Sequence, residues 1–186
     1  MTTRWRPDFD PDHLYFVTTT AAERTRIFRR DIIKRILVDG LYYASLMNRV
    51  TLFAFVIMPN HVHAIIQCPP DVPPKDWARA FKGDTARLIV RYYQVEDQQP
   101  ALEALRRLVT RPGKQDFKVW EDGYLAKAVE SSGFLKQKLD YTHNNPVQPH
   151  WQLVDCPEDY PWSSARFYLK DMPALIPVQD ARELMR

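Results

Sequence analysis

The chain has 186 residues, enough for one domain with a sizeable core and hardly enough for two. Hydrophobic residues at 45% and charged residues at 26% are ordinary for a soluble globular protein, and the longest apolar run, Leu52 to Met58, is far too short to span a bilayer. A net charge of +3 permits nucleic-acid binding without arguing for it, so the placement of the cations matters more than their sum.

Met1-Thr-Thr-Arg-Trp-Arg-Pro-Asp8 lacks the apolar stretch of a secretory signal. Cys68 and Cys156 are spaced neither as a disulfide framework nor as a zinc-ligand pair, so a reducing, cytoplasmic setting with no membrane association is expected. His13 to Thr20, rich in β-branched and aromatic residues, predicts a strand. Arg24, Arg26, Arg29, Arg30, Lys34 and Arg35 then crowd one connection. Asp31 is expected to cap a helix running to about Leu46, with Ile32, Ile33, Ile36, Leu37 and Tyr43 on its core side. Val50 to Ile57 predicts a central strand, Met58-Pro59-Asn60 a turn, and His61 to Gln67 the returning strand of a hairpin. Pro69, Pro70, Pro73 and Pro74 break the chain.

Lys75 to Tyr93 predicts an amphipathic helix with Trp77, Phe81, Leu88 and Tyr92 in one stripe. Arg79, Lys82, Arg87 and Arg91 fall on the other side, as a solvated face or as a surface laid along a phosphate backbone. Glu96 to Gln115 is polar and irregular, with room for a short helix from Ala101 to Val109. A second basic cluster, Arg106, Arg107, Arg111, Lys114 and Lys118, spans its end. Phe117 to Trp120 predicts a strand. A helix beginning at Glu130 or Ser131 carries Tyr141 and stops at Asn145-Pro146, because the residue before proline resists the helical region. The chain is then loop-like through Pro161, and Trp162-Ser163-Ser164 enters a last helical piece. One domain over residues 1–170 is expected, with residues 171–186 left as an unassigned tail that packs on the domain, contacts DNA or blocks the site.

Two clusters carry chemistry. His61 and His63, separated by one residue, share a face of their strand, so both imidazoles can reach one divalent cation at the sheet end beside the turn. Imidazole alone suits zinc, copper, iron or nickel, and an imidazole pair with an amide oxygen also tolerates manganese or magnesium. Gln137, Tyr141 and Asn145 follow at spacing four on the later helix, where the Asn145 carbonyl oxygen offers a third ligand. A phenol of pKa about 10 is ionised to roughly one part in a thousand at neutral pH. A tyrosine nucleophile therefore needs a nearby cation or base, and Lys138 is the candidate. His143, two residues from Tyr141, points away from it, and Asn60 is a turn residue.

Met58-Pro-Asn-His-Val-His-Ala-Ile-Ile66 resembles the HUH motif of REP-associated tyrosine transposases, relatives of the single-tyrosine insertion-sequence transposases. Leu139-Asp-Tyr-Thr-His-Asn-Asn-Pro-Val147 resembles that family's tyrosine helix, and Tyr160-Pro-Trp-Ser-Ser164 its downstream tyrosine-x-tryptophan-serine-serine segment. The three motifs stand in the family's order. The resemblance implies an α+β fold, a ferredoxin-like antiparallel sheet flanked by helices. It also implies that His61, His63 and Asn145 hold Mg²⁺ or Mn²⁺ and that Tyr141 attacks a phosphate in single-stranded DNA near a hairpin. A covalent 5′-phosphotyrosine would result. The basic residues Arg24, Arg26, Arg29, Arg30, Arg79, Lys82, Arg87 and Arg91 would contact that DNA. Gln148-Pro149-His150 departs from the arginine-alanine-glycine common in the family.

Two rivals make different predictions. A hairpin-binding module that keeps the fold without turnover has no need of His61, His63, Tyr141 and Asn145 together. A metal-dependent hydrolase using water makes no covalent adduct. The chain exceeds a minimal unit of the HUH type, which favours a monomer carrying its own tyrosine helix over a dimer exchanging it.

Overall fold

A computed structural model describes residues 9–185, so the reading of residues 1–8 as lacking a secretory signal lies outside the described residues. Four antiparallel strands, β1 (Leu14–Thr20), β2 (Thr51–Ile57), β3 (His61–Gln67) and β4 (Leu125–Val129), form one sheet in the order β2-β3-β1-β4. Helix α1 (Asp31–Met47) joins β1 to β2, and α2 (Pro74–Val95) with α3 (Gln99–Arg107) joins β3 to β4. This βαββαβ order, followed by α4 (Ser132–Asn144) and α5 (Ala165–Lys170), is the ferredoxin-like arrangement the motifs imply.

Strand alternation divides the interior in two. Tyr15 and Val17 of β1 and Val62, Ala64 and Ile66 of β3 pack with Leu37, Leu41 and Phe81 of α1 and α2. Leu14, Phe16 and Ile65 face the other way, against Leu135 and Leu139 of α4. A register shift between Leu52 and Ala54 lets both Phe53 and Ala54 join this second cluster.

Several elements differ from their sequence readings. Asp31 opens α1 rather than capping it: the cap position is Arg30, and the Asp31 carboxylate holds Lys34 Nζ at 2.8 Å. Ile32 and Tyr43 are exposed, while Leu37, Leu41 and Ala44 face the core. On α2 the buried stripe runs Trp77, Phe81, Thr85, Ile89 and Tyr93, a strict spacing of four that leaves Leu88 exposed. Thr85 is admitted because its hydroxyl is satisfied, donating to Phe81 O at 2.7 Å and accepting from Trp120 Nε1 at 3.2 Å. Phe117 to Trp120 is not a strand: Trp120 makes one isolated bridge to Ala21, and its ring is buried in the α1/α2 core. The fourth strand is instead Leu125-Ala-Lys-Ala-Val129, where alanines on the core face give little β signal.

The two core helices meet at Gly40, where a Cβ would lie 2.3 Å from Thr85 Cγ2. Thr85 is β-branched and tied through its hydroxyl, so it has little room to turn away. Gly40→Ala is expected to lower stability by about 1–3 kcal/mol through overpacking, less the roughly 1 kcal/mol that alanine gains as a helix former. Urea unfolding measures this, and a midpoint at or above the parent's would show that the helices can separate freely.

Residues 160–164 cover the free edge of β2. Ile57 N donates to Trp162 O at 2.8 Å, Tyr160 OH donates to Ile57 O at 2.7 Å, and Ser164 N donates to Phe55 O at 3.0 Å. Residues 171–185 continue along the domain: Gln179 N donates to Leu52 O at 2.8 Å, and Ala181 is fully buried beside the α4 cluster. Among the described residues no helix is long and apolar enough to cross a membrane.

Candidate active site

The face of the sheet that carries α4 opens, at the turn end of β3, into a cleft of about 390 Å³. Thr18 pairs with His63 and Thr20 with His61 across the β1–β3 ladder, so strand alternation sends all four side chains to this face. α4 crosses above it. Ser131 caps its start by accepting from Phe134 N at 3.2 Å, Leu135 and Leu139 bury its lower face, and Tyr141 follows about half a turn later at the cleft. The far end of the helix is fixed by His143, whose Nε2 lies 2.8 Å from Ser164 Oγ. His143 is buried, which pushes its pKa down to about 4 and keeps it neutral. It is therefore a brace between the tyrosine helix and the segment at the β2 edge, not a surface contact.

The rings form a continuous chain. His61 and His63 stand 4.6 Å apart, and Tyr141 meets His63 edge-on at 5.1 Å. Phe16 stacks beneath His63 at 5.0 Å. Lys138 places its ammonium 4.8 Å from the Phe16 ring and 5.5 Å from the Tyr141 ring. The spacings of two on a strand and three on a helix thus do bring His61, His63, Lys138 and Tyr141 together.

Each histidine has one nitrogen engaged. Asn60 Nδ2 donates to Arg24 O at 3.0 Å, which turns its Oδ1 toward His61 Nδ1 at 2.7 Å. An amide oxygen only accepts, so His61 carries its proton on Nδ1 and keeps a lone pair on Nε2. His63 Nδ1 lies 2.8 Å from Thr18 Oγ1, while its Nε2 is buried with no hydrogen-bond partner. Burial above all, with Arg24 and then His150 adding, pushes His61 down to about 4. Burial, then His61 and Lys138, holds His63 well below its ordinary range. Both imidazoles are neutral at pH 7, His61 with its lone pair on Nε2 and His63 with its Nε2 left unpartnered, which is the state a metal ligand requires. The donor set therefore fits a divalent cation. Among the described residues no three His, Cys, Asp or Glu side chains are placed to hold a metal, so further donors have to be amide, solvent or substrate oxygens. Asn145 is buried in the short 3₁₀ turn Asn145–Val147 and is not among the residues lining the cleft.

The cleft wall is cationic. Arg24, Lys127 and Lys138 line it, and among the described residues no Asp or Glu does. Burial, and then Lys127, lower the pKa of Lys138. Arg26 reaches over the Trp151 ring at 5.1 Å and Arg30 over Tyr92 at 5.4 Å, so this stretch runs from the cleft toward the end of α2. Arg29 and Arg91 are exposed. Arg79 pairs with Asp76 and Arg87 with Asp84, and Lys82 turns inward to the carbonyls of Glu121 and Gly123. The second basic cluster is largely engaged: Arg107 with Glu103 at 2.7 Å, Lys118 with Asp122 at 3.5 Å, and Arg106 over Phe117.

Four residues of the site escaped the sequence reading of its chemistry. Thr18 needs the strand register to be seen, Lys127 lies on the unrecognised strand β4, and Trp151 sits in an irregular loop. Asn60 had a signal, its position next to His61, but it reads as an ordinary turn residue. Glu23 and Arg24 adopt left-handed backbone angles (φ 51° and 54°), uncommon for non-glycine residues, and it is the Arg24 carbonyl that orients Asn60.

No curated protein sequence matches the chain. A solved REP-associated tyrosine transposase bound to a REP hairpin is 16% identical, with a TM-score of 0.66 over 96% of this chain and 94% of that one. A Deinococcus radiodurans R1 protein assigned as a transposase is 20% identical, with a TM-score of 0.48 over 76% of this chain and 98% of that one. At such identity the first likeness shows the fold. The model of the IS200-like transposases matches residues 11–145, the whole four-stranded sheet and the whole tyrosine helix. The chain belongs to the IS200-like transposase family.

Proposed function

We propose that the protein cleaves and rejoins single-stranded DNA beside hairpins through a covalent 5′-phosphotyrosine on Tyr141. The observation that carries this is the contact between the Tyr141 and His63 rings within a cleft lined by cations and, among the described residues, by no carboxylate. A polyanionic backbone enters such a cleft readily, and a nucleophile stands at its metal-binding pair. His61 and His63 would hold Mg²⁺ or Mn²⁺, with the remaining donors supplied by solvent or substrate oxygens, since Asn145 does not line the cleft. The ion, when bound, acts as Lewis acid and template at the scissile phosphate.

The chain's own residues do the rest. Arg24 and Lys127 draw the phosphate into the cleft. Lys138, its ammonium 5.5 Å from the Tyr141 ring, supplies a positive charge beside the nucleophile and the entering phosphate. Tyr141 Oη gives up its proton to solvent as it forms the bond to phosphorus, the bond from phosphorus to the 3′-oxygen breaks, and that oxygen takes up a proton from solvent to leave as a free 3′-hydroxyl. Because one phosphodiester replaces another, the step reverses readily, which permits strand transfer. The hairpin as substrate rests on the likeness to the solved complex and on the motifs. In this scheme Arg24, Arg26, Arg29 and Arg30 carry the main DNA contact. Arg91 extends it. Arg79, Lys82 and Arg87 contribute less, because each already has an acceptor.

The direct test uses 3′-labelled single-stranded DNA covering the repeats beside the gene, incubated with the protein and Mn²⁺. Label carried by the protein on a denaturing gel is expected. DNA binding without an adduct across several divalent metals would move the conclusion to a non-catalytic hairpin-binding module.

Asn60 has a measurable role in this scheme, since its amide fixes the tautomer of His61. Asn60→Ala is expected to weaken Mn²⁺ affinity by about 10–100-fold, as losses of such supporting hydrogen bonds do. Titration calorimetry reads the change, and an unchanged affinity would remove Asn60 from the metal site.

A further inference from the structure

We propose that Arg26 and Trp151 form a stacking platform for one unpaired nucleobase of the DNA strand, beside the histidine pair. The inference rests on the reading of the cleft as a single-stranded DNA site and adds where a base, rather than a phosphate, is held. The chain of ring contacts has two ends. Tyr141 lies against His63, and Trp151 lies against His61 at 5.9 Å, so the indole is on the far side of the pair from the nucleophile. Trp151 is held in place by its backbone N–H donating to Gln148 O at 2.8 Å and by packing on the small cluster of Val56, Met58 and Tyr160. The Arg26 guanidinium lies 5.1 Å over its ring.

Arg26 is exposed and makes no ion pair among the described residues. Its guanidinium instead covers one face of the indole and presents its own flat, positively charged surface to solvent. Guanidinium and aromatic planes are surfaces on which bases stack without regard to sequence. The phosphate-binding groups, Arg24 and Lys127, lie in the cleft itself. A nucleotide with its phosphate at the histidines therefore brings its base to Trp151 and its backbone past Arg24. A rigid ring anchored on a packed cluster loses little freedom when a base settles on it.

The test separates base from backbone, and it needs neither metal nor cleavage. Full-length protein with Tyr141→Phe is titrated, without metal, into a fluorescent oligodeoxythymidylate and into an abasic oligodeoxynucleotide of the same length and charge. The thymidylate is expected to bind more tightly. Adding Trp151→Ala should weaken thymidylate binding by about 5–150-fold, the loss of one stacked base, and leave the abasic strand within about twofold. Trp151→Phe should retain most of the preference, and Arg26→Lys, which keeps the charge but not the plane, should lose part of it. Equal weakening for both strands, no weakening, or no binding of either strand would each overturn the platform. Failure of the cleavage chemistry leaves this result unaffected, and loss of the base preference leaves the phosphotyrosine assay unaffected.

Discussion

Replacing Tyr141 with Phe is expected to abolish the protein-linked DNA and to lower strand cleavage by a factor on the order of 10⁴, as removal of a nucleophile does elsewhere. The hydroxyl has no hydrogen-bond partner among the described residues, and the ring is 49% exposed, so the substitution removes an oxygen from a site open to solvent. Contacts of the ring with His63 and Phe16 are kept in phenylalanine. Stability should therefore change by no more than about 0.5 kcal/mol, and affinity for single-stranded DNA should be retained. This combination separates chemistry from folding. Cleavage that persists at the parent rate in Tyr141→Phe, with no adduct in the parent, would assign the reaction to a metal-activated water and make Tyr141 a packing residue.

His61→Ala is expected to remove the adduct as completely, by a different route. One of two imidazole donors is lost, and the remaining His63 Nε2 cannot hold a weakly bound Mg²⁺ or Mn²⁺ alone. Mn²⁺ affinity should fall further than the roughly 10–100-fold expected for Asn60→Ala, because a donor goes rather than its support. Electron paramagnetic resonance of free Mn²⁺ gives the affinity directly. His61 is the better choice than His63 for this test. His63 is 4% exposed and stacks on Phe16, so its removal also opens a cavity in the cluster under α4. Unchanged Mn²⁺ binding in His61→Ala would mean that the two rings are a structural pair. A chelator that leaves adduct formation untouched would say the same without mutation.

Much of the site was legible because it depends on short-range periodicity. His61 and His63 share a face through the two-residue repeat of a strand, and Lys138 and Tyr141 share one through the turn of a helix. The hairpin around Met58-Pro59-Asn60, helix α1 and the stop of α4 before Pro146 follow from equally local preferences. Where the readings failed, burial overrode the local signal. Phe117 to Trp120 has the apolar, branched look of a strand, but its hydrophobic side chains are used beneath α2. The α2 stripe passes through Thr85 rather than Leu88 because a threonine with both hydroxyl bonds made is as buriable as a leucine. The tail from residue 171 has no internal pattern, and its place comes from Gln179 meeting Leu52, more than a hundred residues away, and from Ala181 entering the cluster under α4.

By itself the sequence determined the elements that position the chemistry, the identity of the two imidazoles and the phenol, and through three ordered motifs the family. Only the tertiary structure decided which residues complete the site. Thr18 reaches His63 through strand register, Lys127 enters from the edge strand β4, and the Arg24 carbonyl turns Asn60 so that His61 keeps its lone pair on Nε2. It also decided which cations are available, since Arg79, Lys82 and Arg87 are engaged while Arg24 and Arg26 face the cleft and its neighbouring indole. The reason is physical: periodicity assigns a side chain to a face, but hydrogen-bond partners, burial and charge neutralisation depend on what the fold brings opposite it.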